Sequence, residues 1–180
     1  MLDKTLEDKI EENHIVFITS NLNAESASNI ILDIMRWNKE SKEAEINIYL
    51  SSRSYDFVNV VAIYDVLANI ENPISVFCIG YVGGFAPLII AAASKGKRYG
   101  LKHTTISLNQ PFGYLSNESN QQTEIEIEAR ETTKVRNIFE KILSEKLNKD
   151  IKVIHNDVEI DKEFNIDEAK KYGLIDVILE

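Results

Sequence analysis

Apolar residues along the chain gather into short continuous runs, and stretches of helical period separate them. Ile15-Val16-Phe17-Ile18 is the first run, and its continuity predicts a strand covered on both faces. From residue 24 to about 38 apolar side chains recur at helical spacing. Ile30, Ile31, Ile34 and Met35 fall on one side, with Asn23 placed to cap the helix. Ile46–Leu50 predicts a second strand, followed by a polar turn over residues 51–54. Helical period returns over 57–70 through Val60, Val61, Tyr64 and Leu67. Asn72-Pro73 breaks it before a third strand over 74–79. Next come a glycine-containing turn, an apolar helix over 88–93, Lys95-Gly96-Lys97-Arg98 and a short strand over 105–108. Strands alternating with helices predict an α/β fold with largely parallel strands and right-handed crossovers.

Beyond Pro111 the pattern changes. Residues 114–122 are polar without apolar period and predict a loop. Residues 123–147 read as a long helix carrying Ile125, Ile127, Val135, Ile138, Phe139, Ile142 and Leu143. Its first half interleaves Ile125 and Ile127 with glutamates. That pattern suits a helix leaving the globule to meet a partner subunit, or a strand leading into a helix. Asn165 and Glu168 form a capping box opening a short helix that Gly173 closes, and 174–179 supplies a last strand. Residues 1–13 are charged with a weak helical pattern (Leu2, Leu6, Ile10), a short helix or a frayed end. Neither a repeat nor a linker interrupts the chain, so one domain over residues 1–180 is expected.

The net charge of −9, from 20 basic and 29 acidic residues, argues against nucleic acid or an anionic membrane as a partner. No apolar run reaches membrane-spanning length, and the acidic start lacks the features of a signal peptide. Cys78, the single cysteine, lies inside an apolar strand as a buried structural thiol, and a cytoplasmic address is expected. Nothing has metal-ligand spacing, and the glycines at 80, 83 and 84 lack the lysine and hydroxyl of a phosphate loop, so no metal or cofactor is expected.

The organising stretch is 75–111. A buried strand that ends in glycines and opens into an apolar helix is a common way to present a nucleophile, with backbone N–H groups ready to stabilise negative charge. Here no serine, cysteine or threonine stands at the strand-to-helix turn. Ser94 and Ser107 lie elsewhere, and neither His14 nor His103 is an obvious base beside them. His155 and the other two histidines are expected to be structural. Trp37 reads as a packed or interface aromatic, or as a rim contact.

Several runs in order resemble ClpP, the proteolytic subunit of the Clp protease, within the ClpP/crotonase superfamily. They are Ala62-Ile-Tyr-Asp65, Cys78-Ile-Gly80, the stretch from Ala92 through Lys95-Gly-Lys-Arg98, and Gln110-Pro111. Ile125-Glu-Ile127, Ala129-Arg-Glu131 and Glu168-Ala-Lys-Lys-Tyr-Gly-Leu-Ile-Asp176 complete the set. The resemblance implies a spiral of β-β-α units with a protruding handle helix, about residues 112–147. It also implies heptameric rings, single or stacked face to face, around a chamber fed by an AAA+ unfoldase. Members cut peptides with a serine–histidine–aspartate triad. By resemblance the serine position is Gly84, the histidine position Asn109 and the aspartate Asp161. The oxyanion-forming glycine pair falls on Ser54 and Tyr55, after Arg53 in place of a proline. Tyr49 matches one of two tyrosines that line the unfoldase-docking pocket, and Asn47 stands at the other. Ile160 replaces an arginine used between rings, and residues 1–13 are short of the family's axial loop.

Glycine has no atom to attack a carbonyl, and asparagine cannot shuttle a proton. Loss of the nucleophile in the best-studied serine protease costs about a millionfold in turnover, or roughly 8 kcal/mol. Asp161, without its partners, is expected to orient nothing and to serve as a polar or inter-ring contact. The leading expectation is a catalytically inactive ClpP-like subunit, in homo-oligomers or in mixed rings with an active paralogue. The alternatives are a self-assembling peptide- or ligand-binding protein with no protease partner, and a crotonase-like enzyme of another reaction class.

Overall fold

The computed structural model describes residues 5–112 and 122–180. Leu2 and almost all of the predicted loop over 114–122 lie outside the described residues. A short helix, α1 (Leu6–Glu12), opens with Thr5 and Asp8 capping each other and buries none of its side chains. β1 (Ile15–Ile18), α2 (Ala24–Glu40), β2 (Ile46–Leu50), α3 (Phe57–Asn69) and β3 (Ile74–Cys78) follow as the pattern predicts. Asn23 caps α2. β4 (Tyr81–Val82), α4 (Pro87–Ala92), β5 (Arg98–Leu101) and β6 (Thr105–Ser107) complete the first part of the chain. The remainder is α5 (Gln122–Leu147), α6 (Ile151–Glu159), β7 (Glu163–Asn165), α7 (Ile166–Tyr172) and β8 (Val177–Leu179).

Two sheets result. The larger is wholly parallel in the order β1-β2-β3-β5-β8, and the smaller runs β4-β6-β7 with β6 and β7 antiparallel. Sequential parallel neighbours joined by crossovers of one hand put their helices on one face of the sheet. That face holds Val16, Ile18, Ile48, Leu50, Val76 and Cys78 against α2 (Ala27, Ile30, Ile34, Trp37) and α3 (Val60, Ile63, Leu67). Trp37 is packed, its Nε1 donating to Glu11. Burial pushes the Cys78 thiol pKa well up, as expected of a structural thiol.

Among the described residues no helix covers the other face in the way α2 and α3 cover this one, and two expectations are corrected. β1 is not covered on both sides, since Phe17 is 51% exposed, and Met35 of α2 is exposed rather than packed. Phe17, Tyr49, Phe77, Tyr99 and Val177 occupy one row across all five strands of the larger sheet. In-register parallel strands stack like positions at the strand spacing. The rings accordingly lie face to face, with centroids 5.2, 4.8 and 4.8 Å apart along the ladder.

Only the second half of α5 is rooted in the core, through Phe139 and Leu143, while Ile125 and Ile127 are exposed. The alternative of a strand there is not realised. Near the chain end, Arg98 Nε donates to Asp176 at 2.9 Å and Arg98 Nη1 to the Gly173 carbonyl at 2.6 Å, locking β5 to the α7–β8 turn. Burial alone would raise the Asp176 carboxyl, but the Arg98 guanidinium and backbone N–H outweigh it and hold the pKa below its ordinary value. A carboxylate held low in the fold contributes stability above its unfolded value near pH 4, lost as pH falls through the folded one. Asp176→Asn should therefore lower stability at pH 7 by about 1–2 kcal/mol. Its urea midpoint should also fall less steeply below about pH 4 than that of the parent chain.

Candidate functional site

The smaller sheet assembles the site. β4 runs directly into Gly83 and Gly84. β6 runs into Leu108 and Asn109, while β7 is antiparallel and is entered through Asp161 and Lys162. The Leu108 N–H donates to the Lys162 carbonyl at 2.9 Å, which extends the ladder to the site itself. Gly84, Asn109 and Asp161 thus meet at one end of three adjacent strands. Asn109 Oδ1 accepts the Gly84 N–H at 2.9 Å, and Asn109 Nδ2 lies 3.5 Å from Asp161 Oδ1, at the outer limit of a hydrogen bond. The same Asp161 oxygen accepts the Gln110 N–H at 2.8 Å, and Gln110 Nε2 donates to the Glu159 carbonyl.

Asp161 therefore orients its neighbours, contrary to the expectation that it orients nothing. It also ends α6. Its φ is +50°, its N–H donates to the Val158 carbonyl at 3.1 Å and that of Lys162 to the Asp157 carbonyl at 3.0 Å, a Schellman-type termination. Left-handed backbone excludes most residues but tolerates Asp, whose short polar side chain stays available for the Asn109–Gln110 segment.

The segment after β2 forms the opposite wall. Residues 52–55 alternate in burial: Ser52 and Ser54 are buried, while Arg53 is exposed and Tyr55 half-exposed. The serines pin this wall. Ser52 Oγ donates to the Ser20 carbonyl at 2.8 Å and accepts the Ser54 N–H at 3.2 Å, and Ser54 Oγ accepts the Leu22 N–H at 3.3 Å. So held, the segment receives the turn's own donors. The Gly83 N–H donates to the Ser52 carbonyl at 2.9 Å and the Phe85 N–H to the Ser54 carbonyl at 2.8 Å. With Gly84 bound to Asn109, three consecutive N–H groups at the mouth of α4 are accepted from within the chain. None is left aimed at a bound anion, the use the sequence pattern suggested for them.

The glycine is required by its surroundings. Gly84 has φ +59°, and a Cβ there would lie 2.4 Å from the Ser54 carbonyl oxygen and 2.9 Å from its carbon. Outside this contact, Arg53 stacks on Tyr81 at 3.8 Å and Tyr55 meets Phe112 with ring centroids 4.6 Å apart. Burial first, then nearby Tyr81 and Asp161, raises the Tyr55 phenol pKa.

The structure brings Gly84, Asn109, Asp161, Ser54 and Tyr55 into this one cleft. Tyr49 lies apart from it, between Phe17 and Phe77 in the aromatic ladder. Sequence reasoning missed Phe17, Phe77 and Tyr99 there, and Tyr81 and Phe112 in the cleft. An aromatic recurring at the same position of successive parallel strands was the available signal for the ladder. His155 stands by Glu140 at 3.0 Å, beside Arg136, in an ion cluster joining α6 to α5. Among the described residues no group of His, Cys, Asp and Glu converges to hold a metal ion, and no helix is long and apolar enough to cross a membrane.

A family model described as Clp protease matches residues 3–180. The chain is 33% identical over 172 residues to ATP-dependent Clp protease proteolytic subunit 2 of Frankia casuarinae, covering 96% of this chain and 78% of that protein. It is 33% identical over 171 residues to proteolytic subunit 1 of Tropheryma whipplei, covering 95% and 82%. Against subunit 1 of Rhodopirellula baltica the figure is 29% over 175 residues, covering 97% and 76%.

The contact between Gly84 and the Ser54 carbonyl yields a stability test. Gly84→Ser should destabilise the chain by roughly 1–3 kcal/mol, the range for a side chain forced into left-handed backbone. In a Ser54→Gly/Tyr55→Gly background, where that carbonyl can turn away, the same substitution should cost about 1 kcal/mol less. Strict additivity in a double-mutant cycle by urea unfolding would contradict the contact.

Proposed function

The chain belongs to the Clp protease family, and from that membership we propose that it is a ring subunit that no longer cuts peptides. One observation carries the reading: the position that should hold the attacking hydroxyl is a buried glycine whose N–H is accepted by Asn109 and whose side-chain space is filled by the Ser54 carbonyl. The arrangement Asp161–Asn109–Gly84 keeps the order of a catalytic triad as a chain of static hydrogen bonds. A triad needs a base that takes a proton from the nucleophile and an oxyanion site that holds the developing charge. Here the amide cannot take a proton, and the N–H groups are already accepted. The same occupancy weighs against a crotonase-like enzyme, which also needs backbone donors facing its substrate.

As a subunit the chain would line the chamber wall and engage its neighbours, in homo-oligomeric or mixed heptameric rings, with α5 serving as the handle. The partly exposed row of Phe17, Tyr49, Phe77 and Tyr99 supports an AAA+ unfoldase docking on this outer face, since exposed contiguous aromatic surface marks an interaction site. Asn47 has a different task from a docking tyrosine: its Nδ2 holds the Asn13 carbonyl at 3.2 Å, tying the end of α1 to β2.

The test is to purify the chain alone and together with an active Clp proteolytic subunit of the same cell. The isolated chain should neither cleave a fluorogenic peptide nor take up a fluorophosphonate. Native mass spectrometry of the mixture should find both subunits in one ring. Labelling of the isolated chain would overturn the inactivity, and failure to associate with the active subunit would favour an independent assembly. Tyr49→Ala and Phe77→Ala should each weaken unfoldase association with such rings by about tenfold, the loss of one aromatic contact of roughly 1.4 kcal/mol. Unchanged association would remove the ladder from the docking face.

A further inference from the structure

The cleft is strapped as well as chemically silent. Because burial alternates over 52–55, Arg53 and Tyr55 both turn away from the core, and each reaches a residue across the cleft. The Arg53 guanidinium lies 3.8 Å above the Tyr81 ring, and Tyr81 Oη donates to Glu163 at 3.2 Å, fastening the contact to β7. On the other side of Gly84, the Tyr55 and Phe112 rings touch at 4.6 Å between centroids, tilted by 46°. A peptide entering such a cleft as an added strand needs about 4.8 Å of clearance from each wall. Rings already in van der Waals contact leave no passage between them. Beside the second strap lies a cavity of about 140 Å³, lined in part by Phe57, Phe85 and Pro111. At roughly 30 Å³ per water, it holds a few solvent molecules and no extended chain.

We propose that the Arg53–Tyr81 and Tyr55–Phe112 contacts close the cleft to peptides, so that this subunit neither cuts nor holds a chain passing through its ring. The inference deepens the reading of an inactive Clp subunit and rests on it. It assigns Arg53, Tyr55, Tyr81 and Phe112 a purpose that loss of the nucleophile alone does not require. An inactive subunit with an open cleft would still bind peptide and compete for it with active neighbours. A strapped subunit releases it.

The experiment measures anisotropy of a fluorescein-labelled peptide of alternating alanine and leucine with the full chain and its variants, each checked for folding by thermal melting. The parent chain should give no saturable binding. Tyr55→Ala and Phe112→Ala should each show saturable binding, and Arg53→Ala with Tyr55→Ala should bind more tightly than either, since each strap is a contact of modest strength. Phe112→Tyr, which keeps the ring, should remain closed and serves if the alanine variants unfold: saturable binding by it or by the parent chain overturns the proposal. Folded alanine variants that gain nothing overturn it too. Binding without cleavage would sink the straps and leave the inactive reading intact, whereas cleavage by the parent chain would sink that reading.

Discussion

Two backbone hydrogen bonds, from Gly83 N–H to the Ser52 carbonyl and from Phe85 N–H to the Ser54 carbonyl, set the terms for the rest of the cleft. They draw the wall after β2 against the mouth of α4 until no Cβ fits at residue 84. Glycine follows from that approach. Asn109 then has one donor left to accept, the Gly84 N–H, and its amide oxygen suits that position where an imidazole would leave its proton chemistry without an object. The inward serines hold the wall by giving its buried polar groups partners. On the proposed reading, the glycine at 84, the asparagine at 109 and the serine wall at 52–54 are one structural arrangement seen at three places.

Outside the cleft the chain carries features that suit the proposed ring subunit. One-handed crossovers put the packed helices on one face of the large sheet, and stacked, partly exposed aromatics line the other. Partly buried polar ties such as Arg98–Asp176 hold the edge strand in place.

Most long elements were legible because hydrophobic period reports them directly: β1, β2, β3, α2, α3 and α5 fall where the pattern placed them, and Asn165 and Gly173 bound α7. β4, β5, α6 and β7 were not assigned. Arg98-Tyr-Gly-Leu101 and Glu163-Phe-Asn165 are too short for a period, and their pairing depends on distant strands. The aromatic face was misjudged because a continuous apolar run does not say which side is covered. In the cleft, resemblance named Gly84, Asn109 and Asp161, but residue types could not reveal that Asp161 holds Gln110 while terminating a helix. Residues 51–54 read as an ordinary polar turn. Its alternation of buried serines with outward Arg53 and Tyr55 becomes meaningful only when the opposite wall is in view.

Native-state hydrogen exchange at the Gly84 and Phe85 amides tests the closed cleft most directly, because each N–H is accepted by a named atom of the opposite side. Both should exchange as slowly as the amides of β3, through opening that approaches global unfolding. Exchange at the rate of solvent-exposed amides would contradict the account, since the donors would then stand open to solvent and to a substrate's carbonyl oxygen.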